Sequence, residues 1–275
     1  ELNFCPHGGS PTQRDCSCAR LYEANPEPET GFTDRSNATK LGRGICIISA
    51  DSRPISRNLS HVVRSLDQGT PAWWTMTHHL NRLYGKLHGY RYKHVHLEAE
   101  AMDALQDDGW NPPRAVWFKQ PLLLNTLEDS SCRYAVWIDS DAYFVTSEPL
   151  EALLQHIGML DDVDQVDEAR SPSFFFSSAQ TNHWKLNYTA SFIIVKNSHY
   201  ARGVLADWWM APGAEQRLLK YRRVRFHDQS VMNVMFRHST HRHAVARAEP
   251  ANRFDGPLGE FVRHQAGLKE GTFLQ

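Results

Sequence analysis

Apolar and polar positions along the chain alternate between two rhythms. Short continuous apolar runs, "ICIIS" from Ile45 to Ser49, "YAVWI" from Tyr134 to Ile138 and "SFIIV" within 190–197, read as strands buried on both faces. The first ends at Asp51. "YRYKHVHL" over Tyr90–Leu97 alternates as a strand does, and "SPSFFFSS" reads as another. Between these runs the period lengthens to that of a helix. "PAWWTMTHHLNRLYGKLHGY" begins near Pro71, puts Leu80, Leu83, Tyr84 and Leu87 on one face, and stops at Gly89. "RAVWFKQPLLLNTLED" is a second helix, its regular turns limited by Pro121. "SEPLEALLQHIG" has Ser147 for an N-cap, Pro149 in the first turn and Gly158 past the end. "SHYARGVLADWWM" and "DQSVMNVMF" are further helices, and "FVRHQAG" is a short strand or loop.

Strands and helices therefore alternate, which predicts an α/β sandwich around a mostly parallel sheet. In such sheets the ligand site lies at the carboxyl ends of the strands. Asp51 and the pair Asp139/Asp141 fall at such ends. Residues 1–40, rich in Pro and Gly and without periodicity, read as a stem or linker, pinned by a disulfide in one reading; residues 41–275 read as the globular domain.

Composition narrows the field. The 275 residues carry a net charge of -1 and no long basic run, which argues against nucleic acid as partner. No run of 18 apolar residues spans a membrane, so membrane association is expected only through an N-terminal anchor outside this sequence. Of five cysteines, Cys5, Cys16 and Cys18 cluster near the start, as a disulfide group or, with His7, a zinc site; Cys46 and Cys132 read as buried thiols. With the sequons at Asn37, Asn58 and Asn187, this leans towards the secretory pathway.

Two aspartates one residue apart repel unless one is protonated or a cation lies between them. Mg²⁺ or Mn²⁺ takes oxygen ligands and leaves positions open for phosphate. A solvated turn with acids capping the next helix is the plain alternative, and the rigid strand before the pair favours the cation. Trp73/Trp74 and Trp208/Trp209 read as core pairs rather than as a sugar platform.

"VWIDSDAYF" resembles the Asp-x-Asp element of nucleotide-sugar glycosyltransferases of the GT-A fold. More narrowly, the chain is similar to glycosyltransferase family 34, the galactosyl, mannosyl and xyloglucan xylosyltransferases. "HGYRY", "WFKQPLLLNTL", "YTASFIIVKNS", "HDQSVMNVM" and "HQAGLK" agree with that family's motifs in order, over about residues 41–269. The resemblance implies an Rossmann-like α/β/α sandwich and a Mn²⁺ ion, with Mg²⁺ as alternative, held by Asp139, Asp141 and His264. It places Lys269 on the donor diphosphate, with Ser49, Asp51, Arg53, Ser140, Lys119 and Gly267 around the donor. Asp228 and Gln229 would lie near the reacting carbon, Asp228 also as N-cap of its helix. It implies sugar transfer with retention of configuration, from a nucleotide-diphosphate sugar (UDP- before GDP-) to a hydroxyl of a glycan or glycoconjugate in the Golgi lumen. His227, Tyr188 and Ala190 depart from the family pattern. A glycan on Asn187 would obstruct such a site, so that sequon is expected to be unoccupied. The rivals are a silent sugar-binding domain of the same fold and a haloacid dehalogenase-type phosphohydrolase, which places its Asp-x-Asp after the first strand.

Overall fold

The computed structural model describes residues 44–56, 72–99, 115–160, 172–181, 184–222, 227–238, 240–246, 251–254 and 258–264. Strand β1 (Ile45–Asp51) leads into α1 (Trp73–His88), β2 (Arg91–His96), a 3₁₀ turn at Ala115–Phe118, α2 (Lys119–Glu128) and β3 (Tyr134–Ile138). Then come β4 (Ala142–Phe144), α3 (Leu150–His156), β5 (Phe174–Thr181), β6 (Trp184–Lys196), α4 (His199–Ala214), α5 (Gln216–Leu219), α6 (His227–His238), α7 (Ala251–Phe254) and β7 (Val262–His264).

The sheet order is β2-β1-β3-β6-β5. Strand β1 pairs in parallel with β2 and β3, and β6 runs antiparallel to both β3 and β5. Four strands thus point one way and β6 the other, the mostly parallel sheet expected. Both faces are covered, and alternate residues serve opposite cores. Ile45, Ile47, Tyr134, Val136 and Ile138 face one side; Ile48, Ala50, Ala135 and Trp137 face the other. This double burial is why the strands read as unbroken apolar runs. Helix α1 packs Tyr84 into the first core and α2 packs Leu122, Leu123 and Leu127 into the second. The chain therefore leaves β1 in one direction along the sheet and reaches β3 on its other side. The switch lies between β1 and β3, where a ligand crevice is expected.

Three local expectations are corrected. Helix α1 does not bury its leucines: Leu83 and Leu87 are 64% and 63% exposed and Leu80 is also on the surface, while Thr75, Thr77, Asn81 and Tyr84 are buried. Ser147 does not cap α3; Pro149 holds the N-cap position, with no side-chain cap bond. Cys46 and Cys132 are not free thiols but are joined as a disulfide, tying β1 to the turn before β3. Gly89 does end α1, at φ 72°, a left-handed conformation suited to glycine. Trp208 and Trp209 are core, as expected. The stem, Cys5, Cys16, Cys18, Asn37 and Asn58 lie outside the described residues. Asn187 sits on β6 opposite Ala179.

Two histidines sit close together where α1 meets β2, with ring centroids of His78 and His94 5.1 Å apart. Burial, then the neighbouring cationic groups, push His78 down to about 3; burial, only partly opposed by Asp51, pushes His94 down to about 4. Both stay neutral in the folded protein while the unfolded chain takes up protons near pH 6.5. Stability is therefore full above that pH and falls as pH drops from about 6.5 towards about 4. A loss on the order of 4 kcal/mol between pH 7 and pH 5 is expected from urea unfolding, roughly half from each histidine, so His94→Leu should about halve it.

Candidate metal and donor site

The aspartates do not lie on extended backbone. Strand β3 ends at Ile138, the Asp139 N–H still donates to Ser191 O at 2.9 Å, and the Ala142 N–H donates to Asp139 O at 2.9 Å. Ser140 and Asp141 are thus the centre of a tight turn into β4. Three-residue β4 pairs antiparallel with β7, setting Ala142 opposite His264. That register carries His264 Nε2 to 3.3 Å from Asp141 Oδ1. The ligand atoms of Asp139, Asp141 and His264 lie within 4.8 Å of one another. Two carboxylates and an imidazole converging at a strand end are a donor set suited to a divalent cation such as Mn²⁺.

So short a strand as β7 needs outside support. Phe261 and Val262 are fully buried in an aromatic cluster with Phe144, Phe175, Phe192 and Phe254. Phe192 stacks on Phe254 at 5.8 Å between centroids, and Phe144 meets Phe261 edge-on at 6.1 Å. Gly259 makes the approach possible, since a Cβ there would fall 1.9 Å from Val262 O.

The polar face of α1 holds the other side of the turn. Thr77 Oγ1 donates to Ser140 O at 2.5 Å. Asn81 Nδ2 donates to Ala142 O at 2.9 Å, and its Oδ1 accepts from Phe144 N at 3.2 Å. Tyr84 OH donates to Glu148 O at 2.6 Å. Asn81 thereby completes the ladder along the edge of β4 that β7 does not cover. The apolar period of α1 conceals this, because the residues that matter are the polar ones between the leucines. Replacing Asn81 with alanine strands a buried N–H and a buried carbonyl. A loss of about 2–3 kcal/mol in urea unfolding is expected, with weaker Mn²⁺ binding.

Asp51 and Arg53 meet the turn across the β1/β3 switch. Arg53 Nε donates to Asp51 Oδ1 at 2.9 Å and its Nη2 to Asp51 Oδ2 at 2.5 Å, while the same Nη2 lies 3.5 Å from Ser140 Oγ. Burial would raise the Asp51 carboxyl, but the bonds from Arg53 and Ser140 hold it below its ordinary value. The guanidinium also lies over the rings of Trp73 and Trp74, 4.3 and 4.5 Å from their centroids. These tryptophans are therefore not the core pair expected from the sequence but half-buried rings that brace Arg53. Ser49 is buried within β1 and bonded to Tyr92.

Lys119 is no exposed helix lysine. It is 2% exposed, with Nζ 3.1 Å from Asp139 Oδ1 and 3.0 Å from Asp228 Oδ2, and it donates to Ala190 O at 2.8 Å. Burial would lower its pKa, and the two carboxylates more than reverse that. Asp139 is pushed up by burial and by Asp141, against the pull of Lys119. Burial acts upward on Asp141 too, but His264 brings it below the ordinary value. Burial on one side and His264 on the other, with repulsion a lesser contribution, thus split the pair. Helix α6 begins at His227, so Asp228 lies in its first turn rather than at its cap; Gln229 Oε1 accepts from Ala190 N at 3.4 Å. Lys269 and Gly267 lie outside the described residues.

No protein-family profile matches the chain, and no curated protein sequence does. Solved structures do. A glycosyltransferase involved in the glycosylation of the major capsid of PBCV-1 is 12% identical, with a TM-score of 0.52 over 82% of this chain and 94% of that one. The glycosyltransferase GlyE of Streptococcus pneumoniae TIGR4 is 10% identical, at 0.43 over 82% of this chain and 55% of that one. Mouse xyloside xylosyltransferase 1 is 7% identical, at 0.42 over 81% and 97%. The first establishes a shared fold, and the observed architecture is the GT-A-type α/β sandwich expected from the sequence.

Proposed function

We propose that this chain is a metal-dependent glycosyltransferase of the family 34 kind. It would move a hexose or pentose from a nucleotide-diphosphate sugar, UDP- before GDP-, to a hydroxyl of a glycan or glycoconjugate. The observation that carries the reading is the convergence of Asp139, Asp141 and His264 beside the β1/β3 switch, in a fold shared with a glycosyltransferase.

Asp139, Asp141 and His264 would hold Mn²⁺, or Mg²⁺, which supplies charge stabilisation to the departing diphosphate. Lys269 would add a second positive charge there. Asp51 and Arg53, braced by Trp73 and Trp74 and linked to Ser140, would orient the nucleotide. Gln229, at the start of α6, would face the sugar with its amide. In the transfer the bond from the anomeric carbon to the phosphate oxygen breaks and one to the acceptor oxygen forms. The acceptor proton goes to the leaving diphosphate on the same face, which retains configuration. The Cys46–Cys132 disulfide supports an oxidising compartment, and with it the Golgi lumen.

The experiment is a panel of UDP- and GDP-sugars assayed for donor hydrolysis with Mn²⁺, with Mg²⁺ and with a chelator. Turnover of at least one donor that the chelator abolishes is expected. Metal-independent turnover of every active donor overturns the reading, and binding of donors without turnover marks a silent sugar-binding domain.

A further inference from the structure

We infer that Lys119 is a positioning residue that locks the metal-holding carboxylate of Asp139 to the start of α6, and that it does not touch the donor. The inference rests on the metal-site reading above. Three acceptors surround the ammonium: Asp139 Oδ1, Asp228 Oδ2 and Ala190 O, at 3.1, 3.0 and 2.8 Å. The contact to Ala190 O is a hydrogen bond and the two carboxylates are held as ion pairs, so the buried ammonium is already enclosed by partners. A donor phosphate would have to displace one of these buried partners.

The same contacts fix Asp139. Its Oδ1 is ion-paired with Lys119 and accepts from Trp137 Nε1 at 2.5 Å, which sets the orientation of the carboxylate. Among the described residues only Oδ2 is left without such a partner. Ala190 is gripped at both ends of its backbone, its carbonyl by Lys119 and its N–H by Gln229 Oε1. Lys119 therefore ties together α2, the Asp139 turn, β6 and the Asp228–Gln229 end of α6. Partners that orient a metal ligand commonly govern affinity by ten- to a hundredfold.

Charge and position pull in opposite directions here, which makes the test decisive. Loss of the lysine charge alone would tighten cation binding, so weakening is the mark of lost positioning. Lys119→Met strands Asp228 as a buried charge and risks misfolding. Lys119→Met with Asp228→Asn removes one charge of each sign and leaves only Asp139 without its ammonium, a carboxylate that is partly exposed and keeps its bond from Trp137. Mn²⁺ alone, without nucleotide, is titrated by calorimetry into wild type, both single variants and the double variant, followed by UDP at saturating Mn²⁺. The double variant is expected to bind Mn²⁺ about tenfold more weakly, with UDP affinity unchanged within twofold. It should also melt higher than Lys119→Met. Mn²⁺ affinity equal to wild type together with weakened UDP binding overturns the inference and makes Lys119 a donor ligand. Failure of wild type to bind Mn²⁺ overturns instead the metal-site reading on which it rests.

Discussion

Asp141→Ala is expected to lower Mn²⁺-dependent donor turnover at least a hundredfold, about 2.7 kcal/mol in transition-state stabilisation, while the protein stays folded. The two halves of this expectation have separate causes. Asp141 is the hinge of the proposed metal set, at the centre of the turn and 3.3 Å from His264 Nε2. Its loss leaves one carboxylate and one imidazole, too few to hold a hard divalent ion against water. The fold should tolerate the change because Asp141 is a quarter exposed and its removal relieves the repulsion with Asp139. A shift below about 1 kcal/mol in urea unfolding is expected, as for partly exposed ion pairs. Asp139→Ala is the less clean experiment, since that carboxylate also anchors Lys119 and Trp137. Turnover within threefold of wild type in a folded Asp141→Ala protein would show that the reaction does not pass through this site.

How far the sequence could reveal this depends on what each residue does with its backbone. The sheet was legible because its central strands are buried on both sides, and such strands need apolar residues at every position, as "YAVWI" shows. The Asp-x-Asp was legible because it follows that run directly. The partnership with His264 was not legible from periodicity, since β7 has only three residues, one buried, one exposed and one half-buried; the family resemblance alone pointed to it. The working face of α1 escapes hydrophobic spacing for a related reason. Hydrophobic spacing finds the leucines, yet the Ser140 turn and the edge of β4 need polar partners, and Thr77 and Asn81 supply them. Lys119 lay beyond any local pattern. A lysine becomes buried only when carboxylates from distant segments converge on it, and Asp139 and Asp228 do so only in the folded chain.

The cysteines give the second large effect. Replacing Cys46 and Cys132 together with alanine is expected to lower the unfolding free energy by about 2–4 kcal/mol. The bridge joins residues 86 apart in sequence, so it removes much freedom from the unfolded chain; the loop-closure relation alone gives about 4.5 kcal/mol. Each cysteine by itself resembles a small apolar residue in a core, because burial and an apolar setting suit thiol and disulfide alike. What separates the two is register: β1 and β3 are parallel neighbours with Cys46 opposite Ala135, which brings the turn holding Cys132 beside the start of β1. Arg91 covers the bridge, its guanidinium within 2.8 Å of both sulfurs while also paired with Asp129. With both cysteines buried, a mild reductant should leave the folded protein unchanged and act only once urea opens it. Urea unfolding with and without reductant, and alkylation in urea without reductant, read these outcomes. Alkylation of all five cysteines in material taken from its native compartment would show that the bridge does not form there. An intact bridge in such material would agree with an oxidising compartment, as the proposed secretory setting expects.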